Sequence, residues 1–99
     1  MIRHVVMWKL AATGSEEKAL AAAEIKSALE SLVPLIPQII ALEVHANSVS
    51  IESNWDVVLV ADYATVADLE AYQEHPEHLK ALPVVRRNVT ERVAVDFEN

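Results

Sequence analysis

Between Ala71 and Lys80 the chain reads AYQEHPEHLK, which puts a tyrosine, two histidines and a proline into one short stretch. An imidazole titrates near neutrality and can take a proton from carbon next to a carbonyl, provided a hydroxyl polarises the carbonyl oxygen. His78 and Tyr72 carry those two chemistries. The same residues also have a plain structural reading. His75 before Pro76 breaks a helix, so His75 would cap a short new helix and His78 would sit, half solvated, on its first turn. Both readings stay open at this point, and His75 is taken as a cap in either.

Could the pair hold a metal? His75 and His78 are flanked by Glu74 and Glu77, but Pro76 disturbs the helical register and no third ligand is in view, whereas zinc needs three or four. No metal is expected, and no cofactor. Of the other histidines, His4 lies in an apolar stretch as a buried hydrogen-bonded ring, a pocket residue, or both. His45, near Asn47, reads as surface.

The elements that would position these groups follow from periodicity. Ile2 to Leu10 is β-branched and aromatic and predicts a strand. Thr13 with Glu16 fits a capping box, with Ser15 as the rival cap, and opens a helix whose apolar stripe is Ala22, Ile25, Leu29, Leu32 and Val33. Pro34 ends it. Ile39 to Ala46 and Trp55 to Tyr63 predict two strands joined by the polar turn Asn47 to Asn54, hence antiparallel. Thr65 with Asp68 starts a second helix that carries Leu69 and Tyr72 and breaks at His75-Pro76. A short helix with Leu79 and Leu82 follows, then a connector from Pro83 to Asn88 and a last strand, Val89 to Phe97. Strand, helix, strand, strand, helix, strand is the ferredoxin-like split βαβ order, with both helices on one face of a four-stranded antiparallel sheet.

Composition bounds the rest. The 99 residues are read as one domain, 53% hydrophobic, with a formal charge of −7 and no cysteine. Disulfides and thiolate chemistry are excluded. So acidic a chain, with no basic cluster beyond Arg86-Arg87, is a poor partner for nucleic acid or an anionic membrane. No apolar run approaches a membrane span or a signal-peptide core, so a cytoplasmic protein is expected.

On the last strand the odd residues Val89, Val93, Val95 and Phe97 are oily, and they are expected to pack on the helices. Arg92 and Asp96 would then look away, onto the open side of the sheet. Parity leaves the Trp55–Tyr63 strand undecided. If Asp56 and Asp62 merely end it, Val58 and Val60 go under the helices while Trp55, Val57 and Leu59 line the open side. An open face of such mixed apolar character calls for a cover, and a second copy of the chain would supply it. A homodimer is expected.

Together MIRHVVMWKL, IPQIIALEVHAN, DLEAYQEHPEHLKAL and ERVAVDFEN resemble the stress-responsive α/β-barrel, or Dabb, family over nearly the whole chain. The resemblance implies ferredoxin-like chains paired through their sheets into a dimeric α/β barrel with the helices outside. It implies, by likeness to a plant polyketide cyclase of that family, a cofactor-free aldol-type chemistry in which His78 is the base and Tyr72 the substrate-binding hydroxyl. His4 and Asp96 become polar neighbours facing the cavity. Val6, Trp8, Val57, Leu59 and Arg92 join them as candidate ligand-binding residues. That cyclase has a further histidine where this chain has Val57.

Two readings from different classes follow. One is a homodimeric barrel that binds a small hydrophobic carbonyl compound and acts on it as a cyclase or lyase through a histidine base. The other is a non-catalytic, stress-responsive structural or interaction protein in which the same residues hold the barrel together. On the second reading Arg92 and Asp96 are simply ion-paired; on the first they orient a ligand's oxygen atoms. A redox barrel enzyme similar to cofactor-free monooxygenases shares the fold class with less support from these motifs.

Overall fold

Trp8, Val6 and His4 alternate along a strand that ends up in the middle of a sheet with a helical layer on one side only, and that placement organises the chain. The computed structural model describes residues Met1–Asn99. Its elements run β1 (Ile2–Leu10), α1 (Ser15–Glu30), β2 (Ala41–Ala46), β3 (Val57–Tyr63), α2 (Val66–Glu74), α3 (Pro76–Asn88) and β4 (Val89–Glu98). The strands form one sheet in the order β2-β3-β1-β4, every neighbour antiparallel. This is the expected ferredoxin-like fold, with the second helix in two pieces. No helix is long and apolar enough to cross a membrane.

Local chemistry explains most of the boundaries. Thr65 caps α2 by accepting from the Asp68 amide at 3.1 Å, and His75 Nδ1 caps α3 by accepting from the Glu77 amide at 3.1 Å, with Pro76 as its first residue. The capping box expected on α1 does not form. Gly14 is the cap, with no side-chain bond, so the helix entrance relies on the backbone of Gly14 accepting from Lys18 and on the acidic first turn. The helix α3 also runs through Pro83 to Asn88, where a connector was expected. Pro83 and Leu79 are both solvent-facing, so the carbonyl that loses its donor to the proline ring can be met by water.

Even residues of β1 and odd residues of β3 face the helices. Val6, Trp8, Val57, Leu59, Ala61 and Tyr63 are buried there with Val44 of β2, Ile25 and Leu29 of α1, Leu69 and Tyr72 of α2, and Val85 of α3. Val57 and Leu59 thus line the helix side, and Val58 and Val60 the open side.

The last strand is turned over relative to expectation. Its register pairs His4 with Asp96, Val6 with Ala94 and Trp8 with Arg92. Directly opposed residues share a sheet face, so Arg92 and Asp96 point to the helix side and Val93, Val95 and Phe97 to the open side. The register shift between Lys9 and Leu10 leaves Val89 opposite Leu10, and Val89 alone of the oily set packs against the core. The reason is coverage. An apolar strand face shows that something covers it but not what, and the helices do not reach over β4, which is exposed along nearly its whole length.

The open face therefore has an apolar centre of Val5, Met7, Val58, Val60, Val93, Val95 and Phe97. Charged pairs frame it: Arg3 with Asp62 at 2.9 Å and Lys9 with Glu91 at 3.5 Å.

Ile25 has no exposed surface and sits at the centre of the helix-to-sheet contact. Ile25→Ala is expected to cost about 3 kcal/mol, and Thr65→Ala about 1 kcal/mol through the lost cap. Urea unfolding midpoints, at unchanged slope, check both.

Candidate functional site

On an unbroken helix, residues six apart point about 120° away from one another. Tyr72 and His78 escape that geometry because His75-Pro76 ends one helix and begins the next. The turn brings the two rings together, with centroids 4.5 Å apart. The contact extends inward: Tyr72 lies 5.1 Å from Tyr63, and Tyr63 stands edge-on to His4 at 6.4 Å. Four polar-tipped rings thus run from the α2–α3 junction to the centre of the sheet.

Each end of the row is anchored. His4 is only 4% exposed, and its Nδ1 hydrogen-bonds the carboxylate of Asp96 on the adjacent strand. His78 Nδ1 lies 3.0 Å from the Gln73 carbonyl oxygen. A carbonyl only accepts, so Nδ1 of His78 carries the hydrogen and, in the neutral ring, the lone pair resides on Nε2. Burial lowers the pKa of His78, and the nearby charges of His4, Arg92 and Arg86 act in the same direction against the Gln73 carbonyl. The ring is held neutral, as a base must be. Burial likewise pushes the Tyr72 phenol up to about 12, opposed by its neighbours Tyr63 and Arg92, so at neutral pH it stays a hydrogen-bond donor. Tyr63, its hydroxyl buried without a hydrogen-bond partner, is raised further by burial.

Between this row and the sheet lies a cavity of about 470 Å³. It belongs to a single chain and is enclosed by sheet and helices, not by two facing sheets. His4, Val6, Trp8, Leu59, Tyr72, His78 and Arg92 line it, Leu59 and Arg92 from the helix side of the sheet and not from the open side where they were expected. Asp96 contributes through His4. Val57 is buried across from Trp8 and borders a separate hollow with Trp55, Met7 and Val58. Sequence reasoning missed Leu29, Leu82, Val85 and Arg86 in the wall. Three of these follow His78 at helical spacing, a signal that was legible once α3 is allowed to continue through Pro83. No three His, Asp or Glu side chains converge in a way that could hold a metal.

The family model of the stress responsive A/B barrel domain, Dabb, matches residues 2–99. The chain belongs to the Dabb family. Among solved structures, this Dabb chain is similar to a dimeric protein of unknown function and ferredoxin-like fold from Bacteroides fragilis. That pair shares 29% identity and a TM-score of 0.88 over 99% of this chain and 95% of the other. A dimeric ferredoxin-like protein of unknown function from Thermobifida fusca is also 29% identical, with a TM-score of 0.80 over 97% and 88% of the two chains. Hydroxynitrile lyase from Passiflora edulis has the same fold, with a TM-score of 0.78 at 13% identity over 97% and 90%. Among curated proteins no sequence matches.

The sign of the pH effect follows from His78. Its folded pKa lies below the unfolded value, so the unfolded chain takes up the proton more readily. The stability contributed by the neutral ring is complete above about pH 6.5 and is lost as pH falls from there through the folded pKa. Proton NMR should place the His78 titration below that of a free histidine. Unfolding midpoints of His78→Gln should fall less steeply over the same acid window than those of the wild type.

Proposed function

We propose that this Dabb protein is a homodimer whose chains each bind a small hydrophobic carbonyl compound in the cavity under α2 and α3, and that it acts on that compound as a cofactor-free cyclase or lyase. The observation that carries the reading is the pairing of a neutral imidazole, its Nε2 lone pair free, with a protonated phenol at the edge of one apolar cavity. In the proposed reaction Nε2 of His78 removes a proton from the carbon next to the carbonyl, while the Tyr72 hydroxyl donates a hydrogen bond to the carbonyl oxygen and stabilises the enolate. The enolate carbon can then attack a second carbonyl of the same molecule, and the imidazolium returns its proton to the oxygen of the new alcohol. The cavity's size suits a ligand of drug-like dimensions or smaller. That a hydroxynitrile lyase is built on the same fold is consistent with acid–base chemistry at a carbonyl on such a scaffold.

The dimer rests on the open face. Met7, Val93, Val95 and Phe97 are exposed there side by side, and two solved relatives at 29% identity are described as dimeric. Pairing through that face leaves the cavities on the outer, helical side of each sheet.

A non-catalytic role keeps one specific support: Tyr72 and Tyr63 are almost wholly buried and serve the core as well as the cavity. Proton exchange separates the two readings. In D₂O, 4-phenylbutan-2-one followed by proton NMR is expected to lose its α-hydrogen signal faster with the wild type than with buffer. His78→Ala should slow that exchange by about 10²-fold or more, and Tyr72→Phe should slow it with the fold intact. Equal rates for wild type and His78→Ala would leave the structural role. For the assembly, sedimentation is expected to give a dimer for the wild type and a monomer for Val95→Glu.

A further inference from the structure

The chain is acidic overall, with fifteen Asp and Glu against eight Lys and Arg. Carboxylates are therefore plentiful, and most of the cations have one. Arg3, Lys9, Lys18, Lys26, Lys80 and Arg87 each form an ion pair. The two that do not are Arg86 and Arg92. They come from different elements, α3 and β4, and both line the apolar cavity described above.

The acids that border the cavity or adjoin its lining histidines are already committed. Glu91 also borders the cavity, but its side chain is on the opposite sheet face, where it meets Lys9. Asp96 is hydrogen-bonded to His4, and Glu77 to Lys80. The cross-strand register fixes Arg92 opposite Trp8, on the helix side, so its guanidinium extends over the cavity and not into the proposed dimer face. Both guanidiniums are near enough to act on His78, and Arg92 on Tyr72 as well.

We infer that the cavity is built for an anionic ligand: an apolar carbonyl compound that also bears a carboxylate, its acid group held at the mouth by Arg92 with Arg86 beside it and its carbonyl deeper, against Tyr72 and His78. This deepens the function proposed above and rests on that reading of the cavity. A guanidinium offers paired N–H donors that match a carboxylate, and a largely apolar wall behind it strengthens the contact relative to open water. Orientation follows as well. A ligand pinned by its acid end presents the carbons next to its ketone to the imidazole instead of its tail.

The test compares 4-oxo-4-phenylbutanoate with its uncharged amide by isothermal titration. The titrations use the wild type, Arg92→Gln, Arg86→Gln and the double variant, with thermal unfolding to show that each is folded; both arginines are exposed, so folding should be kept. The acid is expected to bind the wild type roughly tenfold more tightly than the amide. That preference should disappear in Arg92→Gln or in the double variant. Acid and amide binding equally well, or a preference that survives in the double variant, would overturn the anion site and leave the cavity reading standing. Binding of neither compound would overturn both. A titration of the wild type in rising salt gives a second readout, since the acid's advantage should shrink while the amide's affinity holds.

Discussion

A buried imidazole has to find a hydrogen-bond partner, and in this chain the partner is supplied by strand register. His4 sits on the central strand β1 with almost no exposure, and the β1–β4 ladder puts Asp96 directly across from it. Slipping β4 by one residue would turn Asp96 to the other face, bury Val95 or Phe97 beside the imidazole, and leave His4 unpartnered. The same register places Arg92 over the cavity and turns the valines of β4 outward. One cross-strand pair is thus tied to the polar content of the cavity and to the apolar content of the opposite face.

The two faces of the sheet divide the work accordingly. The helix side is a conventional core at the β2–β3–β1 end and thins toward β4, where the helical layer no longer reaches; the cavity occupies the place where packing runs out. The open side keeps its oily centre inside a frame of paired charges, and Arg3 holds the Asp62 carboxylate below its ordinary range through their hydrogen bond. An edge-charged, centre-apolar surface is what a self-complementary contact needs, and it fits the pairing proposed for this chain.

Much of this was legible in the residues. The order of elements, the Thr65 cap and the His75-Pro76 break follow from local rules that tertiary structure had no cause to override, whereas the pairing of Tyr72 with His78 entered only through the family resemblance. The facing of β4 was not legible. Alternation distinguishes two faces of a strand but carries no label for the layer each one meets, and the usual inference that oil faces helices fails for an edge strand that the helices do not cover. The expected facing of Arg92 and Asp96 failed through that single inversion. Arg86 was missed for a different reason: Pro83 was read as a stop, although a proline on the watered side of a helix removes one hydrogen bond without ending it.

The bareness of β4 has a further consequence. The strand forms one wall of the cavity yet is held in the chain almost entirely by its ladder to β1, with little side-chain packing on either surface. A wall of that kind frays before the rest of the domain unfolds, so occupancy by a ligand on one side and docking of a twin subunit on the other would each raise the fraction of time it is formed. Assembly and ligand capture then draw on one local ordering equilibrium, and two events on opposite surfaces of a sheet become thermodynamically coupled without any large motion between them.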